Sequence, residues 1–154
     1  MPLVAFATSL QNTALGQALR EAGPATVLLI QIGHVLGLIL LLTSLVLVNL
    51  RLLGWGLRQQ QLHEVVHATR WALRLGLVLT IGSGSLLFLT APVSYIANPA
   101  FAPKIALLLA ALALQAAVAF NVVRLTPLLA RSGAVLSLTL WFGVGLAGRA
   151  IGFV

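Results

Sequence analysis

The sequence has no cysteine and no aspartate, and its only acidic residues are Glu21 and Glu64. Without cysteine there is no disulfide, no thiolate metal site and no thiol nucleophile. Two isolated glutamates, both outside the apolar runs, also exclude paired-carboxylate catalysis and proton transfer through buried carboxylates. Neither a P-loop nor a G-x-S-x-G turn is present. Charged residues make up 7% of the 154 positions, far below the quarter usual in a soluble domain, while 60% are apolar. A chain with so little polar surface needs lipid as its solvent.

In lipid the backbone must satisfy its own hydrogen bonds, which leaves helices or a closed barrel. The polar and apolar alternation of barrel strands is missing. Instead there are four apolar runs, at about 25–50, 72–93, 104–123 and 133–153, each near the ~20 residues that cross a bilayer core. Gly23-Pro24, Pro92, Pro103 and Arg131-Ser132-Gly133 punctuate them, and proline suits a first helical turn. The expected fold is all-α, an integral membrane four-helix bundle forming a single transmembrane domain over 1–154. Residues 3–20 mix Leu3, Phe6, Leu10, Leu15 and Leu19 with Gln11, Asn12, Gln17 and Arg20, a pattern expected of one short interfacial helix. A cleaved signal peptide would need a basic leading segment that is absent.

The net charge of +7 would suggest nucleic acid in a soluble protein. Here the arginines flank apolar runs, where they act as topology signals and contacts for anionic headgroups, and no nucleic-acid partner is expected. Arg51, Arg58, Arg70, Arg74, Arg124 and Arg131 gather on one side of the four runs, leaving Arg20, Lys104 and Arg149 on the other. By the positive-inside rule the expectation is a multi-pass protein of the bacterial inner membrane, with both termini and the 93–103 connection periplasmic.

Ionisable groups inside a span are costly and therefore candidates for function. His34 falls roughly 12 Å along the first helix, at 1.5 Å per residue. It is open to two readings, a hydrogen bond to a neighbouring helix or ligation of a metal or haem iron. Lys104, the one lysine among nine basic residues, opens the third span against both the charge rule and the helix dipole. A snorkelling headgroup contact is its simpler role; a neutral amine that coordinates iron is the sharper one. Arg149 is expected at similar depth, for headgroups or for a carboxylate such as a haem propionate. Gly82, Ser83, Gly84 and Ser85 form one small-residue cluster and Gly143, Gly145 and Gly148 another, favouring close helix packing, with room for a flat cofactor as the alternative.

His63-Glu64-Val65-Val66-His67 matches H-E-x-x-H, a zinc protease signature. A catalytic zinc needs three protein ligands with the glutamate held free, and the remaining His34 and Glu21 lie on the other side of the membrane. A polar connector is the favoured reading.

The segments HVLGLILLLTSLVLVNLRLLG (34–54), GSGSLLFLTAPVSYIANPAFAPK (82–104) and LWFGVGLAGRAIGF (140–153) resemble a family of small bacterial four-helix membrane proteins whose biochemical role is not established. The likeness extends over nearly the whole chain, centred on His34 with Arg51-Leu52-Leu53-Gly54, on Asn98-Pro99 through Phe101 to Lys104, and on Gly148-Arg149. A fainter similarity is to HemJ-type protoporphyrinogen oxidases and to CopD-type copper-resistance membrane domains. The former implies haem b, with His34 and Lys104 as axial ligands or near neighbours. Together these give an expectation of a haem-b protein handling electrons near the periplasmic face. His34 would be on the iron, Lys104 a second ligand, Arg149 near the propionates and Gly82 and Gly84 lining the pocket. A quinone or redox partner subunit would exchange the electrons. The alternative is a non-catalytic accessory subunit of a larger membrane complex, or a small transporter.

Overall fold

The computed structural model describes residues 2–121 and 126–153, with side chains for 3–118 and 126–153. Arg124 and the end of the third expected span lie outside the described residues. Every element in the described residues is helical: α1 (Pro2–Gln11), α2 (Ala14–Glu21), α3 (Gly23–Leu53), α4 (Leu62–Thr90), α5 (Pro92–Ala97), α6 (Phe101–Asn121) and α7 (Pro127–Ala150). α3, α4, α6 and α7 are each long and apolar enough to cross a membrane. Their outward faces carry large apolar side chains, with Leu29 68%, Val78 69% and Leu146 72% exposed. That is the surface of a bundle made for lipid, and the protein is an all-α, multi-pass, four-helix membrane bundle.

The one interfacial helix expected over 3–20 is two helices. Thr13 ends the first and caps the second, its hydroxyl accepting the Gly16 N–H at 3.2 Å. The turn is tight enough that a Cβ on Gly16 would fall 2.8 Å from the Leu10 carbonyl oxygen. Arg20 donates to the Gln11 carbonyl at 2.6 Å, tying the pair together at an end rich in free carbonyls. α1 packs on α5 and α2 on α3 and α4, so this segment roofs one end of the bundle.

The two longest helices also outrun their expected limits. α3 ends at Gly54, whose φ of 76° is a left-handed cap, with Trp55 N–H reaching the Leu50 carbonyl at 3.1 Å. α4 starts at Leu62 rather than near 72, because Gln61 and Glu64 form a capping box that begins the helix before the apolar run does.

α3 and α4 make the most extensive contact. A Cβ on Gly76 would lie 2.5 Å from the Leu41 nitrogen, and one on Gly37 would lie 2.8 Å from the Thr80 nitrogen. The two backbones therefore touch, which only glycine permits, and dispersion between close backbones is what holds helices together in lipid. α7 joins this pair to α6. Leu41, Leu45, Ala111, Trp141 and Val144 form the buried core at mid-height. Below it, toward the arginine-rich end, the Asn49 amide donates to the Ser137 hydroxyl at 3.2 Å between α3 and α7.

Candidate functional site

At the end roofed by α1, α2 and α5, the first half of α3 presents His34 to α4. Nδ1 of His34 and Oγ of Ser83 are 3.0 Å apart. The Ser83 hydroxyl donates back to the Leu79 carbonyl of its own helix. A hydroxyl has one proton, so with that proton on Leu79 the serine oxygen is an acceptor suited to Nδ1–H, the tautomer in which the lone pair of the neutral imidazole resides on Nε2. The Thr80 backbone is a further polar neighbour of the ring, also from α4. The ring edge rests over Gly84, where a Cβ would stand 3.1 Å from Cε1.

Lys104, in the first turn of α6, reaches across α7. Its Cε and Nζ lie 3.4 and 3.6 Å from where a Cβ of Gly148 would be, so the missing side chain is what lets the ammonium group through. It is half-buried and within electrostatic reach of His34. Above them Phe88 of α4 stacks on Phe101 of α6, with centroids 5.4 Å apart and planes 9° from parallel, and Tyr95 leans on both. Burial in this roof pushes the Tyr95 phenol above its ordinary range. Asn98 fixes the turn into α6, its amide donating to the Ile151 carbonyl at 3.1 Å while its Oδ1 accepts from Ala100 N–H at 2.9 Å.

Of the residues singled out in the sequence, His34 and Gly84 touch at this end, and Lys104 shares the end with them from its place against Gly148. Gly82 does not join them: it faces outward, with nothing within 4 Å of an added Cβ. At 100° per residue, a position two away from Gly84 points off the opposite side of α4. Arg149 directly follows Gly148 but is turned out to the surface, its guanidinium 4.0 Å from the centre of the exposed Phe153 ring. Gly143 and Gly148 face α6, while Gly145 faces open space.

The H-E-x-x-H run lies in the first two turns of α4. The Glu64 carboxylate accepts the Gln61 N–H at 2.7 Å, and both His63 and His67 are exposed. Among the described residues no group of three His, Cys, Asp or Glu gathers to hold a metal ion. The glutamate of the motif is used as a helix cap.

Sequence reasoning missed three features. The Gly37 and Gly76 crossing had a signal in the Gly33-x-x-x-Gly37 spacing, of which only Gly37 touches α4. Ser83 was visible as a small residue but not as the partner of His34. The Asn49 and Ser137 pair was overlooked although both are polar groups near or within a span, where such groups seek partners across helices.

No protein-family model matches the chain, and no curated protein or solved structure is significantly similar to it.

Proposed function

We propose that the protein binds haem b at the end of the bundle where His34 meets Ser83 and Lys104 lies nearby, and carries electrons there. One arrangement supports the reading above all others. Nδ1 of the imidazole is placed on the Ser83 hydroxyl, and in the tautomer in which it donates there, as in metal-ligating histidines, Nε2 keeps its lone pair. The donor set fits haem in kind: an imidazole nitrogen, and an amine that can ligate when neutral.

His34 would hold the haem iron, with Lys104 as the second candidate ligand. Arg149 on α7, which follows Gly148, would leave the Phe153 ring to meet the propionates. Bound haem supplies one-electron redox chemistry. The chain's own residues do the rest. Ser83, itself oriented by the Leu79 carbonyl, fixes the tautomer and rotation of the imidazole. Gly84 gives the ring room against α4, and Gly148 gives the lysine its path over α7. The Phe88, Tyr95 and Phe101 roof limits water and lowers the local dielectric.

The same reading takes the membrane to be the bacterial inner membrane. The arginine-rich end is cytoplasmic, both termini are periplasmic, and a quinone or redox subunit is the electron partner.

Haem content per chain tests this. His34→Ala purified in mild detergent is expected to lose bound haem while its helical circular dichroism is unchanged. Full haem content in a folded His34→Ala protein would remove the assigned ligand and the proposal with it.

A further inference from the structure

At the arginine-rich end α4 and α6 stand apart. Phe88 and Phe101 join α4 to α6 at the roofed end, but along their length the two helices share no packed face among the described residues. The gap between them, floored by α3 and α7, holds a cavity of about 670 Å³ that begins below the mid-height core. This is within the ~300–1,000 Å³ of small-molecule sites, and the walls are mostly apolar with a few polar groups, as such sites are.

Two observations define what belongs there. First, Arg70 and Arg74 both line the cavity, one turn apart on the same face of α4. No carboxylate shares the lining, since Glu21 is on α2 and Glu64 faces a different depression. Arg74 lies 6.0 Å over Trp71, which is 71% exposed, and an exposed tryptophan beside arginines marks the headgroup level. Second, Gln115 of α6 also lines the cavity, within a membrane span, and its amide has no hydrogen-bond partner among the described residues. An amide in that position is costly unless something in the cavity completes it.

A cationic mouth at headgroup level, an apolar interior open to lipid and an unpaired donor inside complement an amphiphile with an anionic head. We infer that this cavity holds one anionic phospholipid from the adjoining leaflet. Its phosphate is gripped by the Arg70 and Arg74 guanidinium groups, one of its two acyl chains fills the space between α4 and α6 while the other stays in the bilayer, and Gln115 donates to an ester carbonyl. The tie would brace two helices that otherwise do not pack. The inference does not depend on haem and is read by lipid content alone.

The test uses the full chain in nanodiscs of phosphatidylcholine with a minor share of phosphatidylglycerol, followed by native mass spectrometry of retained lipid. The expected result is one phosphatidylglycerol per chain, selected over the more abundant phosphatidylcholine. Arg70→Gln with Arg74→Gln should abolish that selection, since both side chains are exposed and the fold does not depend on them. Gly133→Leu should displace the lipid by filling the cavity, because a Cβ there meets only Val118 at 4.0 Å. Gly145→Ala, which faces open space, should retain it. Retention without headgroup preference, or unchanged in the arginine variant, would overturn the inference. So would a neutral isoprenoid co-purifying in the cavity in place of phospholipid.

Discussion

Nδ1 of His34 on α3 lies 3.0 Å from Oγ of Ser83 on α4, and the serine proton is already committed to the Leu79 carbonyl. The pair therefore links two helices and sets a tautomer at once. Ser83→Ala should cost about 0.6 kcal/mol, a typical value for an interhelical hydrogen bond in a membrane. It should also lower haem affinity without abolishing binding, because the ring loses its orienting partner but keeps Nε2. Titration of haem into the apoprotein, with thermal unfolding in the same detergent, separates the two effects.

The close crossing of α3 and α4 makes a sharper stability prediction. Gly76→Ala places a methyl group 2.5 Å from backbone that cannot move alone, so the helices must separate. A loss of at least ~1–3 kcal/mol is expected from such overpacking. Gly145→Ala, in open space, should instead be neutral or stabilising by up to about 1 kcal/mol through helix propensity. Equal responses of the two variants in thermal unfolding would show that the crossing is not where the bundle is held.

What the sequence made legible and what it did not follow from the same physics. Apolar runs bounded by Pro24, Pro92 and Arg131 reveal spans because solvent is uniform along a lipid-facing helix and any one side chain reports it. The start of α4 was hidden because Gln61 and Glu64 act through a local cap that hydropathy does not register. The break at Asn12 and Thr13 depends on Gly16 and Arg20 acting together. His34 and Lys104 were each visible as costly groups, but their sharing one end of the bundle was reached only by assuming a topology. Gly82 and Gly84 read alike in sequence, and helical phase alone sends one inward and the other to the surface.

Glu64 should behave as a structural cap. Glu64→Ala is expected to cost about 1 kcal/mol, as loss of a helix cap does. His63→Ala and His67→Ala, both exposed, should stay within about 0.5 kcal/mol of the parent. Zinc-dependent stabilisation removed by a chelator would contradict this and reopen the metal reading of the motif.

The Tyr95 phenol is raised by burial, so the folded state keeps its proton to higher pH than the unfolded chain, which titrates near 10. The folded state then binds more protons through that interval. The contribution of Tyr95 to stability is fully present below pH ~10 and is lost as pH rises above it. Phenolate absorbance should appear only at higher pH than in denatured protein, and Tyr95→Phe should remove this part of the alkaline loss of stability.

The central claim is that the His34 end carries haem b. Its most direct test is a pyridine haemochrome assay with an oxidised-minus-reduced spectrum on protein purified in mild detergent from haem-supplied cells. The expected result is about one haem b per chain, with reversible reduction. A colourless protein with a flat difference spectrum, folded and helical, would contradict it.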